Sequence, residues 1–367
     1  SAKIFQRLSE KLVSKFTARF GGLFFACKQG GCTENEFLIH NLTITSPPLK
    51  MTMTPPMSYP KWQRITSQAD GLGESPFWHP AEKCLYWVDI PGQRLRRMAM
   101  TADALGEQKP EDWPLGEEPG CFAPAAQGGW VMATRSGVYR ARTWGGPRQL
   151  LAAAPYDTAQ MRFNDGKCDP AGNFWSGSMF EPRDQALAAL YALQADGRLE
   201  FKAGDATVAN GLAWSPDGRT LYWSDTGAHC IRAWDYDSDT QTMSRERLFA
   251  QFPLKPNNWA YGTASAQAYL GRPDGAAVDV EGFYYSAMYE GHRLAKFAPD
   301  GRCVAFIEAP VQCPTMPCFG GEDMRTLFIT TSAHGRSAEE LQALPDSGCV
   351  FAIRVETPGL PVSFFNN

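Results

Sequence analysis

From Trp62 onward the chain repeats one pattern: a short apolar run, a turn cluster, then a second run rich in aromatic and β-branched residues. The turns read HPAEK, DPAG, SPDG and DVEG, and the runs after them read LYWVD, NFWSGS, LYWSD and FYYSAM. Proline presets φ for a tight turn and glycine accepts positive φ, so each unit predicts a β-hairpin. The aromatic runs predict strands, and Trp87, Trp175 and Trp223 within them predict packing between units rather than ligand stacking.

The repeat also fixes a register. Glu74, Asn164, Asn210 and Asp274 each stand five positions before the residue that opens the turn, namely His79, Asp169, Ser215 and Asp279. Two weaker copies, GCFAPAAQGGWVMAT and MPCFGGEDMRTLFITT, put Gly120 and Met316 at the same place. The intervals between the six anchors are 46, 44, 46, 64 and 42 residues. A repeat of roughly 40–50 residues built from short strands predicts a β-propeller blade. The predicted fold is therefore all-β, a six-bladed β-propeller over 58–367, preceded by an N-terminal extension over 1–57. Equivalent positions of radially arranged blades meet around one axis, so the four oxygen-bearing side chains are expected to converge.

The 64-residue interval holds an insertion around 252–270. It precedes the strand that carries Asp274, so it is expected on the face where the site opens, as a lid or a passive loop. Residues 1–25 read as an amphipathic helix candidate, with Ile4, Leu8, Leu12, Phe16, Phe20 and Phe24 on one stripe and Lys3, Arg7, Lys11, Lys15 and Arg19 on another. That segment suits a membrane-surface or targeting helix or an upstream extension foreign to the domain. It holds no run of about 18 apolar residues, so no transmembrane span is expected. Met51, Met53 and Met57 follow it as candidate natural starts.

Charge narrows the partners. Residues 1–50 carry seven Lys/Arg and three Asp/Glu, so a net −4 for the chain leaves −8 for the rest. An acidic domain without a basic stripe argues against nucleic acid as the partner; it would attract a cation and tolerate a neutral ligand. The ten cysteines show no CxxC and no zinc spacing. They read as reduced core thiols, which points to the cytoplasm. Nothing in the sequence demands more than a monomer.

A glutamate, an aspartate and asparagines supply the oxygen donors that calcium, magnesium and manganese prefer. A divalent ion there would polarise a carbonyl and acidify bound water, and a free lobe of Asp274 or Glu74 could serve as general base. Arg162, two residues before Asn164, shares its strand face and should reach the same channel mouth. It could hold substrate hydroxyls or pair with a ligand carboxylate. Asp165 and Lys167 fall at odd offsets and read as turn residues, while Glu181 ends the next strand and is a further rim candidate. No GxSxG, HExxH, P-loop or GxGxxG pattern is present.

Four motifs in this order, GESPFW, RFNDGKCDPAG, ANGLAWS and RPDGAAVD, resemble the regucalcin–gluconolactonase family of sugar lactonases over about residues 62–365. The resemblance implies a propeller with one divalent cation in its central channel. It implies Glu74, Asn210 and Asp274 as metal ligands, Asp274 also as the catalytic proton acceptor and donor, and Arg162 and Asn164 as substrate-binding residues. Calcium heads the candidate cations, with zinc, manganese, magnesium and ferrous iron as alternatives. Some members place a substrate-contacting glutamate where this chain has Pro182, with Glu181 beside it. The expected reaction is hydrolysis of a gluconolactone-like aldonolactone to the aldonic acid. The rival expectations are an organophosphate or activated-ester hydrolase on the same scaffold, and a non-catalytic calcium-binding propeller.

Overall fold

The computed structural model describes residues 61–100 and 107–366. The helix candidate at 1–25, the methionines at 51–57 and the rest of the extension over 1–57 lie outside the described residues. The described chain forms six four-stranded antiparallel sheets. Their innermost strands are Gly73–His79, Pro119–Pro124, Met161–Cys168, Ala209–Trp214, Arg272–Val278 and Pro314–Gly320, and each packs against the inner strands on both sides. The ring of contacts is complete, so the fold is the expected six-bladed propeller.

Both faces of every blade are buried, and the sequence shows how. In Thr220–Asp225, Leu221 and Trp223 pack toward blade three, while Tyr222 packs toward blade five. Successive side chains point to opposite faces, so a strand covered on both sides reads as one continuous apolar run. Six apolar clusters result, one wedged between each pair of neighbouring blades. Trp87, Trp175 and Trp223 are almost fully buried in them, as interblade packing requires.

The turn-opening residues cap their own hairpins. Asp169 accepts from Asn173 N at 2.8 Å, Asp279 from Phe283 N at 2.9 Å, and Ser215 Oγ from Thr220 N at 2.9 Å. Two terminal pieces complete the ring. The two-residue strand Gln63–Arg64 pairs with Phe351–Arg354 as the outer edge of blade six, so that blade is sewn from both ends of the domain. The segment after Pro358 crosses the turn side of the ring. It bonds blade five through Leu360 N to Val278 O (3.0 Å), blade two through Phe365 N to Pro124 O (2.8 Å), and blade three through Asn366 N to Gly172 O (3.0 Å). Beneath it lies an apolar cavity of about 280 Å³ lined by Trp78, Phe122, Trp214, Phe319 and Leu360. The eight cysteines among the described residues are free and buried, as a reading of core thiols expects. No helix among the described residues is long and apolar enough to cross a membrane.

Candidate active site

The anchors are aimed by a shared backbone irregularity. In blade one, Glu74 pairs with Val88 but Phe77 pairs with Tyr86, so the inner strand carries one residue more than its neighbour. All six inner strands bulge at or beside the anchor. A bulge re-aims side chains where a ladder is interrupted. Ser75 and Gly211, which follow Glu74 and Asn210, take positive φ of 50° and 58° to do so. At Gly211 a Cβ would fall 2.3 Å from Ser224 Oγ, so only glycine fits. The Asn-Gly pair that reads as a turn is thus a bulge within a strand.

Glu74, Arg162, Asn164, Asn210 and Asp274 are all buried and line one cavity of about 550 Å³ at the channel mouth. A relay links four of them. Arg162 Nη1 donates to Asn164 Oδ1 (2.8 Å), Asn164 Nδ2 donates to Asn210 Oδ1 (2.8 Å), and Asn210 Nδ2 donates to Asp274 Oδ1 (2.6 Å). Thr226 Oγ1 also accepts from Asn210 Nδ2, at 2.8 Å. Glu74 stands apart from the relay, and its Oε2 accepts from Ser75 N at 3.2 Å. Gly120 and Met316 complete the ring without an oxygen donor. A Cβ on Gly120 would lie 2.6 Å from the backbone of Phe163 and Asn164, so that ring position has no room for a side chain.

Burial raises Glu74 well above the usual carboxylate range, and the charge of Asp274 raises it further. Burial likewise pushes Asp274 up to about 8, with Arg272 opposing the shift and Asp165 adding to it. Burial brings the Arg162 guanidinium down to about 10.

Three placements differ from the sequence reading. Asp165 and Lys167 are not in a turn: they lie in the inner strand of blade three, just past the ring. Asp165 Oδ2 accepts from Leu212 N at 2.9 Å while its Oδ1 is buried with no hydrogen-bond partner, and Lys167 Nζ donates to Ala276 O. Glu181 does not line the cavity. Arg135 clamps it through two hydrogen bonds of 2.9 Å, and its nearest approach to Arg162 is 3.8 Å. Arg272 lines the cavity and was missed, although it stands two residues before Asp274 as Arg162 stands before Asn164. The same two-residue rule, applied to every anchor, finds it.

The insertion reaches the site face. Lys255 Nζ pairs with Glu290 Oε1 at 2.9 Å, and the Trp259 ring lies between Lys255 (4.3 Å) and Arg336 (5.3 Å). Glu290 and Arg336 both line the cavity.

Among the described residues no three His, Cys, Asp or Glu side chains gather closely enough to form a metal cluster by themselves. A cation at the ring therefore depends on an amide. The donor set fits one: Asn210 Oδ1 has a second lone pair, and two buried carboxylates that repel one another are relieved by a positive ion.

Fold and cavity together define a six-bladed propeller with its polar site at one mouth of the central channel. Residues 72–333 match the model of the SMP-30/gluconolactonase/LRE-like region, and the chain belongs to that family. It is 41% identical over 301 residues to a 6-deoxy-6-sulfogluconolactonase of Pseudomonas putida, covering 82% of this chain and 97% of the relative. It is 32% identical over 302 residues to regucalcin of Danio rerio, covering 81% and 95%. In three dimensions it resembles a calcium-binding protein, regucalcin, of Agrobacterium tumefaciens, with a TM-score of 0.74, 22% identity and coverage of 86% and 99%.

Proposed function

We propose that this protein is a metal-dependent hydrolase that opens a sugar lactone to the aldonic acid. The observation that carries the reading is the burial of Glu74 and Asp274 at one channel mouth with Asn210 bonded to Asp274 at 2.6 Å. Glu74, Asn210 and Asp274 would hold the divalent ion, and calcium suits their oxygen donors best. The regucalcin likeness supports the same choice. When bound, the ion supplies Lewis acidity toward a carbonyl and its hydrating water.

The chain's own residues do the rest. Asp274 takes a proton as the water oxygen bonds to the lactone carbonyl carbon. It returns that proton to the ring oxygen as the ring C–O bond breaks. Its burial at the channel mouth, with Asn210 Nδ2 donating to Oδ1 at 2.6 Å, fixes that carboxylate for both halves of the exchange. Asn164 and Arg162 orient the sugar hydroxyls from the adjacent blade. The Arg162–Asn164 hydrogen bond fixes both before substrate arrives. Organophosphates and other esters with apolar leaving groups would meet Arg162, Arg183, Arg272 and Arg336 beside the few apolar side chains, Leu72, Met179 and Val208, of the lining.

The test is pH-stat hydrolysis of a panel of aldono-1,4- and 1,5-lactones, comparing stripped protein with protein given Ca²⁺, Mg²⁺, Mn²⁺, Zn²⁺ or Fe²⁺. The panel includes glucono-1,5-lactone and its 6-deoxy-6-sulfonate, because the P. putida relative is named for the latter. Metal-restored acid release is expected on at least one member. Release no faster than the spontaneous rate with every ion would move the reading to the second one, a calcium-binding propeller without turnover.

A further inference from the structure

We propose that the cavity carries an oxyanion subsite, formed by Arg272 and Arg183 beyond the ring, that holds a sulfonate, phosphate or carboxylate at the far end of the sugar lactone. It rests on the lactonase reading for the sugar but not for the anion.

Arg272 stands two residues before Asp274 on one inner strand. Two residues along a strand span about 7 Å, so its guanidinium belongs to a tier lying outward of the ring. Arg162 stands in the same tier on blade three. Between them Leu72 and Val208 hold the equivalent positions, and both also line the cavity. The same register places Glu118 on blade two, but Glu118 pairs with Arg135 at 2.9 Å and does not line the cavity, so the charged members that do line it are both arginines.

The wall around Arg272 carries more positive than negative charge. Glu290 is buried and faces three cations: Lys255 at 2.9 Å, Arg336 at 2.8 Å and Arg272 at 3.2 Å. Arg336 is further committed to Glu340 through two hydrogen bonds, of 2.8 and 2.6 Å. Among the described residues Arg272 makes one ion pair, to a single carboxylate oxygen, and stacks over Tyr289 at 5.0 Å, and its charge also acts on Asp274 and Tyr269. Glu290 Oε2, the oxygen nearest Arg272, has no hydrogen-bond partner. Arg183 also lines the cavity, is exposed, and has no ion pair among the described residues. Its charge acts on both Asp274 and Arg162. The cavity lining therefore holds four arginines, Arg162, Arg183, Arg272 and Arg336, against three carboxylates, Glu74, Asp274 and Glu290, in a domain that is acidic elsewhere.

That excess does not suit a neutral sugar alone. Hydroxyl groups need acceptors as well as donors, and guanidinium groups only donate. A forked guanidinium matches an oxyanion with two parallel hydrogen bonds. With Asp274 and Glu74 assigned to the cation, no carboxylate among the described residues is ion-paired with Arg183.

The experiment compares glucono-1,5-lactone with its 6-deoxy-6-sulfonate and its 6-phosphate, in wild type and in an Arg183→Gln/Arg272→Gln double variant. Wild type should favour one of the charged lactones by about 30-fold in kcat/KM, mostly through KM. The double variant should bring that preference to within about threefold, and Arg183→Lys/Arg272→Lys should recover part of it. The larger of the sulfonate and phosphate arms names the anion. Calorimetric binding of gluconate, its 6-phosphate and the 6-deoxy-6-sulfonate to metal-free protein reads the subsite without turnover. If no lactone is hydrolysed but the 6-phosphate and 6-deoxy-6-sulfonate bind more tightly than gluconate, which lacks an anion at carbon 6, and the double variant loses that difference, the subsite stands and the lactonase reading falls. Equal handling of charged and neutral ligands by wild type, or full preference in the double variant, overturns the subsite.

Discussion

At the scale of single residues, the site depends on placing carboxylates where water cannot pay their solvation. Asp274→Asn should keep the fold and lower kcat on the best lactone by about 10²–10⁴-fold, the usual range for a general base. A variant that retained wild-type turnover would remove Asp274 from the mechanism. The same burial predicts a pH response. In metal-free protein Asp274 titrates near 8, whereas the unfolded chain releases that proton near 3.8. Between those values the native state binds more protons, so metal-free stability should fall as pH rises from about 4 to 8. Cations compete with those protons, so added Ca²⁺ should raise Tm more at pH 8 than at pH 6; differential scanning calorimetry reads both slopes. The four oxygen-bearing anchors were legible because each is tied to a turn signal five residues away. Arg272 is legible by the same two-residue offset from its anchor that marks Arg162. Asp165 was not legible, because a strand without a bulge would have turned it away from its neighbours' backbone.

At the scale of elements, the inner strands meet so closely that one of them can carry no side chain at the ring. Gly120→Ala would drive a methyl into the backbone of Phe163 and Asn164, 2.6 Å away. We expect a loss of about 1–3 kcal/mol in urea unfolding, with a higher KM because Asn164 shifts with its strand. An unchanged midpoint would mean that the strands separate more easily than their contacts imply. The insertion offers the complementary case. Trp259→Ala removes the ring between Lys255 and Arg336, and should raise KM about three- to tenfold with little change in Tm. Equal KM in steady-state assays would make the insertion a passive loop. Its position was legible from the long interval between anchors. Its grip on Glu290 was not, since Lys255 lies in the insertion and Glu290 follows the second strand of blade five, and no local pattern couples them.

At the scale of the whole molecule, six repeats predicted six blades, yet the closures at the two termini were silent in sequence. Gln63–Arg64 is too short to show any period, and the tail around PGLPVSFF reads as coil. That tail crosses the mouth opposite the site and buries Phe365. Removing residues 359–367 should lower Tm by roughly 5–10 °C in thermal melts while leaving kcat on the best lactone unchanged. Loss of turnover at an unchanged Tm would show that the two mouths are coupled.

The stitching of blade six from both ends also sets an order in time. Arg64 leaves the ribosome long before its partner Phe351 is made. At about 5–20 residues per second that wait lasts on the order of 15–60 s. Throughout it, five blades can assemble into an open arc whose first and last faces are bare apolar surface. Circularity is then the final event of biogenesis, and the nascent arc is the species most exposed to misassembly with another copy of itself.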